Sequence, residues 1–288
     1  MIISLAGITI AILAICVFSN SNQLLMQPLT TPESFLAGMP YVKYSTTSGE
    51  IIFIQPSSSF LVYALGAILI CFGIYFYLTR TMHLSRKYWG VGLILWGISA
   101  IVAGTSYQAF GYELKCASRD LCLYTSNFEL VYMLLTAYSI NYLVAATAYT
   151  SLRSEGRKWL LRFAVIDSIF YTIYLFIGAV LPIRFLVSYE GFMAFIGANF
   201  ILMFILNILH FKKHRDPLNR NLIWIWLGFL VVNLGYFVFL FGGIGRTLYE
   251  NSGFWFNEND MLHVLLISWG LMVFFLLRRK LSDTCIVK

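Results

Sequence analysis

Charged side chains are scarce in this chain. They make up 11% of its 288 residues, against about 25% in a soluble domain. Hydrophobic residues make up 59%, which excludes an ordinary water-soluble globule. Cysteine is sparse too: five thiols are too few for a disulfide scaffold. The sequence has no Walker loop, no GxSxG elbow, no HExxH and no CxxC. No lysine lies inside any long apolar run, so a retinal Schiff base has no amine to form on and a rhodopsin is excluded. The runs hold no paired histidines of the kind that ligate haem. There is no internal repeat, no low-complexity tract and no soluble catalytic domain.

The charge that is present follows a pattern. Lysine and arginine cluster in alternate gaps between apolar runs: Arg80/Arg86/Lys87, Arg153/Arg157/Lys158/Arg162, Lys212/Lys213/Arg215/Arg220 and Arg278/Arg279/Lys280/Lys288. The gaps at 111–126, 181–190 and 246–260 are neutral or acidic. Basic loops stay in the cytoplasm, so the C-terminus is expected inside and the acidic loops outside. A net charge of +7 placed in short loops fits a membrane-facing inner surface and not nucleic acid. Runs of about 20 apolar residues suffice to cross the hydrocarbon. They predict seven spans, near 58–79, 89–110, 128–150, 161–181, 187–209, 222–244 and 261–278. The expected fold is all-α, a polytopic membrane helical bundle in a plasma or inner membrane with membrane lipid as its partner. Residues 1–19 read as a signal peptide or a signal-anchor eighth span, 20–57 as an exterior cap, 58–279 as the seven-span domain and 280–288 as a cytoplasmic tail.

Cys116 and Cys122 share one exterior loop and are expected either to close a small ring or to stay as two unpaired thiols. The C-terminal CIVK has a CaaX-like shape, but a final lysine does not suit prenylation. Ionisable groups at membrane depth are costly and mark candidate sites. The strongest gather at the expected outer face: Tyr107, Gln108 and Glu113 near the second span, Glu129 opening the third, and Asn259, Asp260 and His263 opening the seventh. The spacing of the last three lets them share one helical face. Carboxylates around an imidazole could hold a metal, relay a proton or form a hydrogen-bonded plug; the alternative for the acids is a solvated loop. Asp167 reads as a partner of Arg162 or a solvated helix end. Asn141, Asn199, Asn207 and Asn233 read as interhelical hydrogen-bond glue. His210 and His214, set in a basic FKKHR context, read as a solvated inner helix end.

The stretch Gly104-Thr105-Ser106-Tyr107-Gln108-Ala109, then Cys122, then Phe128-Glu129, resembles the second-to-third span region of the CREST superfamily. That group includes alkaline ceramidases, adiponectin-receptor-like and myomaker-like proteins. The resemblance implies seven spans and a zinc held by histidines of the second and seventh spans. Gln108 stands at the first histidine, Glu129 at the acid, Asn259 and His263 at the seventh-span pair, and Gly104 at a serine. One of three histidines is kept. Gln108 and Asn259 are weak ligands, but Glu129, Asp260 and His263 could still make the set of three or four N, S or O donors that zinc favours. Two functional readings follow. One is a hydrolase-like protein acting on a lipid amide or ester, with Tyr107 or Gln108 steadying the oxyanion. The other is a non-enzymatic receptor, lipid-binding or small-solute transport module.

Overall fold

The computed structural model describes residues 4–47, 49–80 and 82–284; the CIVK terminus lies outside them. Helix α1 (Leu5–Phe18) leads to a capping segment with α2 (Pro32–Ala37) and an antiparallel hairpin of β1 (Tyr41–Thr46) and β2 (Gly49–Ile54). There follow α3 (Pro56–Leu78), α4 (Leu84–Gly104), α5 (Gly111–Lys115), α6 (Asn127–Ser151), α7 (Ser154–Val180), α8 (Tyr189–His214), α9 (Pro217–Gly242), α10 (Ile244–Ser252) and α11 (Glu258–Leu277). Seven helices are long and apolar enough to cross a membrane: α3, α4 with its extension to Ala109, α6, α7, α8, α9 and α11. The cap is not wholly helical, since the hairpin departs from the all-α expectation. Tyr41, Val42, Tyr44 and Thr46 on one strand and Ile51, Ile52, Phe53 and Ile54 on the other are β-branched or aromatic residues that suit a small ribbon.

Local sequence explains where the long helices begin. Ser126 and Ser188 accept the amides of Glu129 and Gly191, and Asp216 accepts those of Leu218 and Asn219. Each satisfies backbone donors that a helix start leaves open. Pro56 and Pro217 occupy the first turns of α3 and α9, where a missing amide costs nothing. α4, α7 and α9 begin several residues earlier than the apolar runs alone indicate, because a helix continues past the hydrocarbon into polar surroundings. At the far end of α9, Gly243 turns the chain at φ 58° into α10.

α6 is the axle of the bundle. It is almost wholly buried and packs against α4, α7 and α8. Ser139 Oγ donates to Gly92 O of α4 at 2.7 Å, and Ser99 and Thr136 hydroxyls meet between the same two helices. α3 and α4 approach so closely that a Cβ on Gly97 would lie 2.6 Å from Gly66 O, and one on Gly73 2.7 Å from Gly90 O. Small residues permit this contact, which in lipid replaces the hydrophobic drive. Asp167 accepts from both Asn141 and Asn199 at 2.9 Å, tying α6, α7 and α8. Its partners are amides and not Arg162. Asn207 joins the same scheme through Ser151, whereas Asn233 Nδ2 donates to Phe229 O within its own helix.

The two ends of the bundle differ. At one, the segment after α11 crosses back: Asp283 accepts the amides of Leu84 and Ser85, and Thr284 bonds Tyr149 O and Thr150 O. The four basic gaps gather at this end. At the other, Asn20 donates to the carbonyls of Ala179 and Val180, and residues 24–30 run alongside 122–124 through backbone hydrogen bonds from the amides of Met26, Cys122 and Tyr124 to the carbonyls of Cys122, Thr30 and Leu24. α1 lies on α6 and α7, with Ile8 and Ile15 buried.

Candidate functional site

Two polar features face the capped end. The first begins where α4 changes pitch. Residues Thr105–Ala109 continue it as a π-helical turn, an insertion often found at functional sites. The wider turn sends Ser106 toward α6. There Ser106 Oγ lies 2.6 Å from Ser126 Oγ and donates to Glu129 Oε1 at 3.0 Å. Lys115 Nζ donates to the same oxygen at 2.7 Å, and both ion-pair side chains are nearly sealed from solvent. Lys115 ends α5, directly before the Cys116–Cys122 disulfide, whose sulfurs are 2.02 Å apart. The small ring expected from the shared loop is present. Gly111 lets α5 lie close, because a Cβ there would sit 2.6 Å from Ser106 O. The Lys115 ammonium stands 5.1 Å from the Tyr107 ring, and Tyr107 packs edge-on to Tyr132. Gln108 is buried beside them. Glu113, outside this knot, accepts the amide of Ile52 at 2.7 Å and fastens the hairpin to α5.

The second feature is built by α11. Asn257 and Asp260 form a reciprocal capping box: Asn257 Oδ1 accepts the Asn259 and Asp260 amides, and Asp260 Oδ2 accepts the Asn257 amide. Asp260 is fully buried, and the nearby Ser58 hydroxyl accepts Trp255 Nε1 at 3.0 Å. His263, one turn further, is 8% exposed and lines a cavity of about 130 Å³ inside the bundle. Trp96, Tyr132, Phe192, Phe200 and Phe229 wall it, with Ser99, Thr136 and Asn233 as its polar points. His263 Nδ1 has no hydrogen-bond partner.

Glu129 and Tyr107 therefore assemble at one feature, with Gln108 buried in the same π turn as Tyr107, and Asp260 and His263 lie on the helix that builds the other. Tyr132 is the link, touching Tyr107 on one side and the cavity on the other. Among the described residues no hydrogen bond or ion pair joins Glu129 to His263. Among the described residues no three His, Cys, Asp or Glu side chains gather to hold a metal ion. Of the residues expected as zinc ligands, Glu129 is held by Lys115 and Ser106 and Asp260 Oδ2 by the helix cap. Lys115 escaped sequence reading as a solvated loop charge. Its only signal was its place beside Cys116. Ser99 and Thr136 carried none, since isolated hydroxyls are common in apolar helices.

A bundle of seven membrane-length helices, with a buried ion-paired knot near one end and an aromatic cavity within, defines a multi-pass integral membrane protein. The chain belongs to a family of unknown function, DUF6962, which matches residues 60–282. That span runs from the first turns of α3 to just past α11, leaving α1 and the cap outside it. No curated protein and no solved structure matches the chain.

Proposed function

We propose that the protein is a non-enzymatic lipid-binding module that takes a single-chain amphiphile from the bilayer, its polar head at His263. The observation that carries this is a buried, unpartnered imidazole nitrogen on a side chain that lines an aromatic cavity. A buried polar atom without a partner is costly, and a ligand hydroxyl or carboxyl supplies one. The cavity is too small for a whole lipid. A groove of about 330 Å³ between α8 and α9 shares Met193, Phe200, Phe229 and Asn233 with it. Ile201 and Leu230 of that groove are 61% and 53% exposed, on the surface that meets lipid. The head would enter past Asn233 while the chain stays in the groove.

The test is photo-crosslinking of a diazirine-bearing long-chain fatty alcohol to the purified protein in vesicles. Labelling is expected on α8 and α9 peptides. His263→Ala should weaken it about fivefold, the worth of one hydrogen bond. Gly197→Phe should also weaken it, by filling the groove; a Cβ at Gly197 meets nothing within 4 Å, so the new side chain starts in open space, and a thermal melt checks that the bundle is kept. Labelling indifferent to both substitutions would sink the reading. The hydrolase-like reading rests on the CREST resemblance. It requires a metal, so stoichiometric zinc in the purified protein, lost in His263→Ala, would favour it instead.

A further inference from the structure

The basic end of the bundle carries two adjoining hollows that the lipid-binding reading leaves unused. One, about 310 Å³, lies between α6 and α8, and the other, about 260 Å³, reaches toward the segment after α11. Arg153, His210 and His214 line both, and Lys213 lines the first. We propose that these residues form a binding site for a phosphomonoester, the headgroup of an anionic phospholipid in the leaflet at the basic end.

Four observations support the assignment. First, the cations are available. Among the described residues the salt bridges are Lys43–Glu50, Lys115–Glu129, Lys158–Glu155 and Arg246–Glu250, so neither Arg153 nor Lys213 is paired. Second, the two carboxylates bordering the second hollow are committed to other donors. Asp216 accepts the Leu218 and Asn219 amides and the Asn219 side chain, and Asp283 accepts the amides that open α4. Both keep their negative charge, so the phosphate is placed in the first hollow, which Arg153, Lys213 and both imidazoles line and no carboxylate does. Third, the imidazoles are held in place. His210 Nδ1 lies 2.6 Å from Ser151 O and donates to it, which leaves Nε2 as its other polar atom. The His214 ring stands 4.5 Å from the His210 ring. Fourth, the rim is apolar on the bilayer side. Leu206 and Leu209 line the first hollow, and Leu209 is 57% exposed. A phosphate can therefore sit among the cations while its acyl chains run along α8. Basic pockets between helices at the inner face are suited to such headgroups, whereas scattered loop charge acts only through the surface potential. Arginine also offers a fork of donors that matches phosphate oxygens.

The experiment uses the full chain in phosphatidylcholine nanodiscs. Binding of fluorescent dioctanoyl phosphatidate is measured for the unaltered protein, for the double variant Arg153→Gln/Lys213→Gln, and for the charge-matched control Lys212→Gln/Arg220→Gln. The control residues share the basic end but line neither hollow. None of the four side chains makes a hydrogen bond or ion pair, so both variants should melt with the parent. The expected result is a loss of about tenfold or more for the first variant and less than about twofold for the control. Equal losses in the two variants would overturn the site, because net charge alone would then explain binding. So would dioctanoyl phosphatidylcholine binding as tightly as phosphatidate. Competition by glycerol phosphate or inorganic phosphate at matching concentration would keep the phosphate site but overturn a lipid as its source. His263→Ala serves as a separate arm: it should leave phosphatidate binding unchanged, which separates failure here from failure of the cavity reading.

Discussion

At the scale of single residues, the sharpest feature is one carboxylate oxygen, Glu129 Oε1, shared by an ammonium and a hydroxyl with little water near. Taking two charges out of water costs several kcal/mol each, and close contact repays it only while both partners remain. Lys115→Met and Glu129→Leu should each therefore destabilise the protein by about 3–5 kcal/mol. The double variant should lose less than either single change, because it leaves no orphan charge. Thermal melts in one detergent, compared as a double-mutant cycle, check this; additive losses would mean that the pair contributes nothing as a pair. His263 works by a different logic. Its imidazole lacks a partner, so its removal should cost little stability while weakening ligand binding. The two residues were read from sequence as members of one site, and they differ because only one of them has its hydrogen bonds satisfied within the protein.

At the scale of elements, the α3–α4 seam depends on glycine for distance, not for backbone freedom. Gly97→Ala places a methyl 2.6 Å from Gly66 O, so one helix must shift. A cost of about 1–3 kcal/mol is expected, as for overpacked cores. Gly197→Ala, with open space around it, should be close to neutral. Melting both variants side by side tests the seam; equal behaviour would show that the helices are free to separate. The long helices were legible in the sequence because hydrocarbon thickness imposes a length, and apolar runs of that length have few other uses. The starts of α4, α7 and α9 were less legible, since their first turns lie outside the apolar runs. The π turn at Thr105–Ala109 left no trace, because one extra residue in a helix alters neither composition nor period enough to read. The hairpin and the Lys115–Glu129 pair were equally hidden. The hairpin pairs neighbouring residues but is anchored from afar, where Glu113 accepts the amide of Ile52, and the ion pair likewise joins residues in different elements.

At the scale of the whole molecule, the basic gaps share one end of the bundle, and the positive-inside rule predicts that this end is cytoplasmic. A reporter fused after residue 288 should be active only in the cytoplasm, and one inserted between residues 117 and 121 only outside; the reverse pattern would invert the protein. The seven helices are also unequal in their claim on the membrane. α7 and α9 show lipid a continuous apolar face through residues such as Ile166, Phe170 and Ile173 or Leu230, Leu234 and Val238. α6 shows it almost none. It carries Glu129, Asn141 and several threonines and serines, and it is the least hydropathic of the seven. A segment of that kind gains little by entering lipid alone. During synthesis it should stay beside the insertion machinery until α4 and α7 flank it, so assembly of this protein proceeds around its most reluctant helix and not outward from its most hydrophobic one.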